Sequence, residues 1–468
     1  MSERGALVRR VLVVLLALTA IAAILTSFQR SATPPARAAT PVLATPMWSI
    51  RRTPQPVVDA VGAQHLTARL RAQTNGNRAC FTVHDSQGEL ADASDDQPLA
   101  PASTLKLLTA TSAVADLGAD FHFTTSVQGS GPPANGTVDR LYLVGRGDPL
   151  LATPERLALD QRDPDTAGLA STPLAVLADR IAAAGIHAVP GGVVGIDAHF
   201  DRTRYVPEWN AAERASIGPV GALTVNDGFA GANGTGAPAA NPAVNAATEL
   251  TRLLTARHIA VGAPSSGDVP NGTVDIASID SPPLPAILTE MLSASDNLSA
   301  EMLVRELGAY AGTATTARGV DAVMAAMSKL GIDTTGAKLV DGSGLSHTDA
   351  VTCRTLIAVL GLTVRPQFAP VRDGLAIAAQ RGTLATRFRN TPLAGNLRAK
   401  TGTLDGVSGL AGFVTSDRPL DFALIVNGTF GESAAFAIRE AMATTIASFP
   451  QTTNAATLVP APNAPNRR

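Results

Sequence analysis

The chain has 468 residues, more than one compact core accommodates, so two or three domains are expected. A hydrophobic content of 45% and a charged content of 16% indicate a globular protein rather than a disordered one. The net charge is −2, and no concentrated basic stripe follows the N-terminus, so the sequence gives no reason to expect a nucleic-acid partner.

An uncharged apolar segment follows three arginines near the N-terminus. Arg4, Arg9 and Arg10 precede residues 11–28, VLVVLLALTAIAAILTSF. Basic residues on this flank favour a cytoplasmic N-terminus, so we expect the rest of the chain to be exported to the periplasmic or cell-wall side of the cytoplasmic membrane. The run is long for the core of a signal peptide but near the lower limit for a spanning helix. Residues 1–28 are therefore interpreted as a signal or anchor segment, with an uncleaved anchor slightly favoured.

The segment that follows changes from linker composition to regular patterns. Residues 29–57 are rich in Pro, Ala, Thr and Arg, which predicts a linker. Residues 78–94 alternate apolar and polar positions around Ser86-Gln87-Gly88, which predicts a hairpin at a sheet edge. A helix is predicted from Ser103, ended by Gly118.

Residues 122–280 are expected to form an inserted domain or domains. Strand and helix patterns alternate there between many Gly and Pro turns, which indicates an α/β or α+β body. Its expected elements are strands at 140–145, 191–197 and 222–227 and helices at 173–185 and 246–258.

The C-terminal part is predicted to return to a helix-and-sheet pattern. Its expected elements are a periodic helix at 282–295, strands at 409–416 and 420–428 and a closing helix at 434–449. Residues 450–468 have the composition of a disordered tail.

Two cysteines, Cys80 and Cys353, would both reach an oxidising compartment after export. A single disulfide and two small buried apolar residues are equally compatible with the sequence. Neither cysteine has a His or a second Cys at metal-ligand spacing, and the seven histidines are scattered without an HExxH pattern. No metal site and no cofactor are expected.

The stretch PASTLKLLTA (101–110) places Ser103 three positions before Lys106. Residues three apart lie on the same face of a helix, so these side chains can touch. A serine hydroxyl needs a base to become a good nucleophile, and a lysine in a dry pocket can lose its proton and act as that base. Alone the pattern is weak, because a solvated lysine on a helix is a commoner explanation.

A second motif, Ser295-Asp296-Asn297, directly follows the periodic helix. A loop there, before a helix beginning near Leu298, would present Ser295 and Asn297 to a cleft. The alternative is helix capping, to which Ser, Asp and Asn are well suited.

A third motif, Lys400-Thr401-Gly402, enters a predicted strand. Its glycine is expected to leave room for a ligand to approach the backbone, and the alternative is a strand start with an exposed lysine. The three motifs occur in order and use two of only four lysines in the chain. Their conjunction favours one shared active site over three unrelated features.

The set S-x-x-K, S-D-N and K-T-G is typical of penicillin-binding proteins and class A β-lactamases. The chain resembles the class C low-molecular-mass penicillin-binding proteins, the D-alanyl-D-alanine carboxypeptidase/endopeptidase group. The long separation of Ser103 from Ser295 fits that group, which has domains inserted between the first two motifs. Further segments match it in order: 144–151, 222–228, 339–346, 380–388 and 399–414.

The resemblance implies an α/β (α+β) fold. Residues 58–121 and 281–449 would form a penicillin-binding-protein/β-lactamase-like transpeptidase domain, with an antiparallel sheet flanked by helices. Residues 122–280 would form the smaller inserted domain or domains.

The resemblance also implies roles for the motif residues. The catalytic set would be the nucleophile Ser103, the base Lys106, the proton relay Ser295, the orienting Asn297 and the positively charged Lys400. Thr401, Gly402 and Thr403 would bind substrate, and the backbone N–H groups of Ser103 and Thr403 would form the oxyanion hole. Asp341-Gly342-Ser343-Gly344 would shape the cleft or form a tight turn, and Gly382-Thr383-Leu384 would pack beneath the site.

The function implied is a serine peptidase that trims peptidoglycan stem peptides ending in D-Ala-D-Ala, as carboxypeptidase, endopeptidase or both. β-Lactams would be its covalent inhibitors, and residues 11–28 would provide possible membrane anchoring. Two alternatives remain open: a catalytically silent relative that binds peptidoglycan, and, with less support, a serine β-lactamase.

Overall fold

The computed structural model describes residues 12–22 and 55–449. Residues 12–22 form a helix, α1, whose side chains are exposed. Within these two ranges no helix is both long and apolar enough to span a membrane. The predicted anchor therefore falls only partly on described residues, and the tail at 450–468 lies outside them. The predicted linker also lies outside them up to residue 54, and residues 55–57 already belong to the next helix.

Strands and helices alternate through residues 55–449. The strands are β1 (Arg78–Asp85), β2 (Gly88–Ala93), β3 (Thr124–Gly129), β4 (Leu141–Val144), β5 (Leu151–Ala152), β6 (Thr172–Pro173), β7 (Ala188–Val189), β8 (Val193–Ile196), β9 (Ala260–Val261), β10 (Ser265–Ser266), β11 (Val274–Asp280), β12 (Ala376–Ile377), β13 (Leu397–Leu404), β14 (Val407–Val414) and β15 (Leu420–Asn427). The helices are α2 (Gln55–Gln73), α3 (Lys106–Asp116), α4 (Pro154–Asp160), α5 (Leu174–Ala183), α6 (Ala211–Ala215), α7 (Pro242–Thr255), α8 (Leu284–Ser293), α9 (Asn297–Tyr310), α10 (Thr316–Lys329), α11 (Cys353–Leu362), α12 (Ala369–Asp373) and α13 (Glu432–Ala447).

A six-stranded antiparallel sheet combines strands from the two ends of residues 55–449 in the order β12-β13-β14-β15-β1-β2. The predicted hairpin at 78–94 is confirmed, with β2 at the sheet edge. Side chains alternate between the faces of a strand. On β15, Leu424 and Val426 accordingly join the core under α2 and α13, while Ala423 and Ile425 join the core under α3, α8 and α11. The sheet thus lies between two helical layers, as the resemblance implied.

A second sheet forms between residues 124 and 280, in the order β10-β8-β4-β3-β11. The pairs β3–β4 and β3–β11 are antiparallel, whereas β4–β8 and β8–β10 are parallel. Helices α5 and α7 cover it through a separate hydrophobic core. All its strands fall within the predicted insertion, and those of the six-stranded sheet fall outside it. The domain boundaries themselves stay a prediction.

The predicted strand at 222–227 is wrong. Residues 222–225 are buried without pairing in either sheet, and Asn226–Gly228 form a 3₁₀ turn. Its Asp227 has a φ of 56°, which a strand does not allow. The apolar alternation that suggested a strand reflects side chains packed into two neighbouring cores instead.

The two cysteines form a disulfide. Cys80 lies on β1 and Cys353 is the first residue of α11, and both side chains are fully buried. The sequence left free cysteines equally open, so the structure decides this point. The bond crosses a sequence separation of 273 residues and fixes α11 to the central sheet.

Candidate active site

Ser103 lies in a tight turn at the start of a buried helix. Residues Ala102–Leu105 form a 3₁₀ turn that continues into α3, so the predicted helix begins with a tighter turn than expected. Ala102 has a φ of 47°, a left-handed conformation that an alanine adopts only at a cost of about 1–3 kcal/mol. Such a conformation persists where the surrounding structure enforces it. Two glycines allow neighbouring segments of the chain to pack closely against this turn.

Gly344 and Gly402 allow other chain segments to close around this turn. A Cβ atom at Gly344 would lie 2.0 Å from the Ala102 carbonyl oxygen, and one at Gly402 would lie 2.6 Å from the Pro101 carbonyl oxygen. On this side Gly402 therefore makes room for the protein's own chain, and its role in substrate binding stays a prediction. The protein's own backbone occupies that space, and it carries the predicted nucleophile.

Lys106 connects the first two motifs with the loop at residues 341–344. Its Nζ donates to Ser103 Oγ at 2.8 Å, to Asn297 Oδ1 at 2.7 Å and to the Ser343 carbonyl oxygen at 2.9 Å. The side chain is 0% exposed. Lys106 thus lies buried against Ser103 and within reach of Asn297, as one shared active site requires. The alternative of a solvated lysine on a helix is wrong.

Burial lowers the pKa of Lys106 to about 8. The loss of water around the ammonium is the largest cause, and the carboxylates of Asp296, Asp341, Glu301 and Glu290 partly oppose it. A sizeable fraction of Lys106 is therefore neutral near physiological pH. A neutral amine donates two hydrogens and accepts one. Since the Asn297 and Ser343 oxygens only accept, its lone pair faces the Ser103 hydroxyl.

The loop Asp341-Gly342-Ser343-Gly344 is both a tight turn and part of the site. The Glu301 Oε1 accepts from the backbone N–H groups of Gly342 and Ser343 at 3.0 and 2.8 Å, and Asp341 Oδ1 accepts from that of Gly344 at 2.7 Å. These bonds hold the Ser343 carbonyl against Lys106.

Sequence reasoning missed Glu301. The available signal was its position four residues after Asn297, on the same face of α9. Glu301 is fully buried, and burial and Asp341 raise its pKa to about 7.

The Ser295-Asp296-Asn297 motif serves capping and the site together. Asp296 is the N-cap of α9 and accepts from the Ser299 backbone N–H. Asn297 begins the helix, one residue earlier than predicted, and turns its amide oxygen to Lys106. Ser295 has a φ of 66°, which places it in the left-handed region at the cleft wall. The capping alternative is therefore correct for Asp296 only.

Lys400 lies on β13 and is 0% exposed, so the exposed-lysine alternative is wrong. Its Nζ donates to the Thr401 carbonyl oxygen at 2.9 Å. Burial, followed by the nearby cations Lys106 and Arg439, lowers the pKa of Lys400 well below its ordinary value. Several cations crowd one buried region here, and an anionic ligand would relieve their repulsion.

The threonines of β13 form the opposite wall of the cleft. Thr401 Oγ1 shares a hydrogen bond of 2.9 Å with Thr383 Oγ1, and Thr403 Oγ1 accepts from Arg439 Nη1 at 2.5 Å. Gly382 and Leu384 are buried as predicted, but Thr383 itself lines the cleft. Arg439 and Thr383 were both missed as site residues.

The cleft has a volume of about 410 Å³. It brings together the predicted residues Ser103, Ser295, Asn297, Thr401 and Thr403, while Lys106 and Lys400 are buried behind its wall. In residues 12–22 and 55–449, no group of three or more His, Cys, Asp or Glu side chains could hold a metal ion.

The model of the D-Ala-D-Ala carboxypeptidase 3 (S13) family matches residues 63–239 and 232–449, which is most of the chain. The chain belongs to this family. The resemblance seen in the three motifs is thereby confirmed.

Curated S13-like relatives align over most of their own length. The chain is 34% identical to a carboxypeptidase of Mycobacterium tuberculosis, covering 72% of this chain and 73% of that one. It is 30% identical to the D-alanyl-D-alanine carboxypeptidase of an Actinomadura species, covering 77% and 79%. Among solved structures, penicillin-binding protein 4 (dacB) of Haemophilus influenzae matches with a TM-score of 0.66 at 23% identity, covering 81% of this chain and 97% of that one. This last match supports the fold of the S13 chain.

Proposed function

We propose that this protein is an exported serine-type D-Ala-D-Ala carboxypeptidase that trims peptidoglycan stem peptides through an acyl-enzyme on Ser103. The same chemistry would also allow it to act as an endopeptidase on peptide cross-links. The single observation that carries the proposal is the Lys106 Nζ, buried and bonded to Ser103 Oγ at 2.8 Å. Family membership supports the substrate class.

Acylation begins at the Ser103 hydroxyl. Its proton passes to the neutral Lys106 amine as Oγ bonds to the carbonyl carbon of the penultimate D-Ala. The oxyanion accepts from the backbone N–H groups of Ser103 and Thr403, since preorganised donors stabilise charge that develops in the transition state. Asn297 and the Ser343 carbonyl hold the amine in place while its lone pair takes the proton.

Collapse of the tetrahedral intermediate breaks the peptide bond. The leaving D-Ala nitrogen takes a proton that returns from Lys106 through the Ser295 hydroxyl, which lines the same cleft. Water then attacks the ester carbonyl, with Lys106 again as the base, and releases the shortened peptide with Ser103 restored. Lys106 thus serves as the base in both acylation and deacylation, the two steps into which covalent catalysis divides the reaction.

The terminal carboxylate of the substrate would bind on the β13 side. Thr401 and Thr403 offer hydroxyls there, and Gly402 lets this strand lie close to the nucleophile turn. The buried Lys400 supplies positive charge once an anion arrives, because the anion counteracts the burial and the repulsion by neighbouring cations that together lower the pKa of Lys400. The same pocket would accept the carboxylate of a β-lactam.

Two competing functions carry less support. A catalytically silent peptidoglycan-binding relative would not need a lysine with a lowered pKa in contact with a serine hydroxyl. This chain has such a pair in Lys106 and Ser103. A serine β-lactamase would need rapid hydrolysis of its acyl-enzyme. The family match supports a peptidase instead.

Labelling with a fluorescent penicillin tests the proposal. The wild type should form a stable covalent adduct, Ser103→Ala should form none, and Ser328→Ala, at an exposed serine of α10, should label normally. A folded wild type that does not label would refute the enzyme assignment. Fast nitrocefin hydrolysis without a lasting adduct would favour the β-lactamase.

Digestion of purified peptidoglycan separates the two peptidase activities. A carboxypeptidase removes terminal D-Ala and leaves cross-linked dimers intact, whereas an endopeptidase converts dimers to monomers. Mass analysis of the released muropeptides distinguishes them. Recovery of the mature protein from membrane and soluble cell fractions tests the proposed export and anchoring by residues 11–28.

A further inference from the structure

A buried arginine outside the three motifs contacts the third one. Arg439 lies on α13 and is 4% exposed. Its Nη1 donates to Thr403 Oγ1 at 2.5 Å and, more weakly, to the Gly402 carbonyl oxygen at 3.4 Å. Both acceptors are uncharged, and in the described part of the chain no carboxylate forms an ion pair with it. A buried cation without a paired anion is expensive unless a ligand completes it.

The neighbours of Arg439 maintain this unpaired state. Its guanidinium lies 4.4 Å from the centre of the Phe436 ring, and the Arg387 guanidinium lies at the same distance from that ring. Arg387 pairs with Glu440 at 3.3 Å. Glu440 and the cleft-lining Glu432 both act on Arg439 by raising its pKa, but among the described residues neither forms an ion pair with it. Burial and Arg387 together lower the pKa of Arg439 to about 10, which still leaves it charged at neutral pH. The cleft therefore contains a fixed positive charge beside Thr403.

The direction of the Arg439–Thr403 bond determines what Thr403 can do. A guanidinium has only donors, so the Thr403 oxygen must accept from it. The Thr403 O–H is then free to donate elsewhere, and Thr403 lines the cleft. A hydroxyl that accepts from a cation is a stronger donor, because hydrogen bonds in a chain polarise one another.

We propose that Arg439 is a positioning residue that orients the Thr403 hydroxyl and supplies positive charge for the free α-carboxylate of the C-terminal residue, which is expelled as the acyl-enzyme forms. The inference rests on the proposed function and deepens it. According to this inference, Arg439 on α13 makes the enzyme prefer substrates with a free C-terminal carboxylate over substrates with a neutral C-terminus. A purely structural role, in which Arg439 only ties α13 to β13, is the alternative.

Paired substrates separate the two roles. We would measure kcat/KM on an N-acylated tripeptide ending in D-Ala-D-Ala and on its C-terminal amide, which has the same scissile bond without the charge. Arg439→Met should lower kcat/KM about 10- to 100-fold on the carboxylate substrate, the range of a hydrogen bond to a charged group. On the amide the loss should stay below about threefold. Arg389→Met, at an exposed arginine that does not line the cleft, should match the wild type on both substrates.

A second variant covers the case in which Arg439→Met does not fold. Arg439→Gln keeps an N–H donor for Thr403 and loses the charge, so its selectivity should fall between those of the wild type and Arg439→Met. Arg439→Met should cause a smaller loss on the carboxylate substrate in a Thr403→Val background than in the wild type, because part of its effect acts through that hydroxyl.

The outcomes are distinct. The inference about Arg439 is overturned if a folded Arg439 variant loses kcat/KM equally on both substrates, or if Arg439→Gln keeps wild-type selectivity. In either case, penicillin labelling of Ser103 would still support the proposed function. A folded wild type that neither labels nor cleaves either peptide fails the proposed function itself.

Discussion

Lys106 and Asn297 lie 191 positions apart in the chain and are joined by a hydrogen bond of 2.7 Å between Nζ and Oδ1. The bond links the helix after Ser103 to the first residue of α9, so the first two motifs form one unit. Because the amide oxygen can only accept, it directs one amine hydrogen away from Ser103. The neutral form of Lys106 then presents its lone pair to the nucleophile.

Replacing Lys106 tests its role as the base. Lys106→Met keeps much of the buried volume and removes the amine, so the rate of penicillin acylation should fall by about 10²–10⁴-fold, the usual range for a positioned base. Stopped-flow measurement of acylation, with circular dichroism to verify folding, checks this. Lys329→Met is the matched control, since the Lys329 side chain is 72% exposed. Acylation at the wild-type rate in Lys106→Met would contradict the mechanism.

The pH dependence of acylation follows from the pKa of Lys106. The base must be unprotonated, so kcat/KM should rise with pH and level off above a midpoint near 8. Glu301 raises that pKa when ionised. Glu301→Gln keeps an oxygen for the Gly342 and Ser343 backbone N–H groups and removes the charge, so the midpoint should move to lower pH. A midpoint that stays in place or rises would show that Glu301 does not act on Lys106 electrostatically.

The close approach at Gly402 predicts a different kind of sensitivity. Gly402→Ala would place a methyl group 2.6 Å from the Pro101 carbonyl oxygen. We expect a loss of about 1–3 kcal/mol in the free energy of unfolding, the usual cost of overpacking, and slower acylation because the nucleophile turn must move. Gly361→Ala on α11 meets nothing within 4 Å. It should be neutral or stabilising by up to about 1 kcal/mol in a urea titration, and equal behaviour of the two variants would contradict the packing argument.

The Cys80–Cys353 bond is expected to stabilise the fold without taking part in catalysis. Both sulfurs are buried in the core between β1 and α11, away from the cleft lining. The double variant Cys80→Ala/Cys353→Ala should lose about 2–5 kcal/mol in the free energy of unfolding. Thermal melts should show a lower midpoint, while acylation at a temperature where the variant is folded stays within about twofold. An unchanged melting temperature would contradict this expectation.

Much of the site could be predicted from the sequence because its motifs are local. Ser103 and Lys106 are three apart, Asp296 and Asn297 are adjacent at the start of one helix, and Lys400 to Thr403 share one strand. Elements with clear periodicity, such as α8 and β15, were also predictable. The predicted strand at 222–227 was wrong because alternating apolar residues indicate only which side chains are buried. A buried loop can show this pattern as readily as a strand paired in a sheet.

What the sequence determined by itself was the family, the order of its motifs and the long separation between the first two. Only the tertiary structure decided which partners complete the site: the Ser343 carbonyl, Glu301, Thr383 and Arg439, and the pairing of Cys80 with Cys353. It also decided that Gly402 allows the Pro101 carbonyl oxygen of the chain's own backbone to approach closely. The physical reason is that a motif records chemistry within a few residues. The pKa of Lys106 and the direction of the Thr403 hydroxyl depend instead on burial and charges contributed by segments far along the chain.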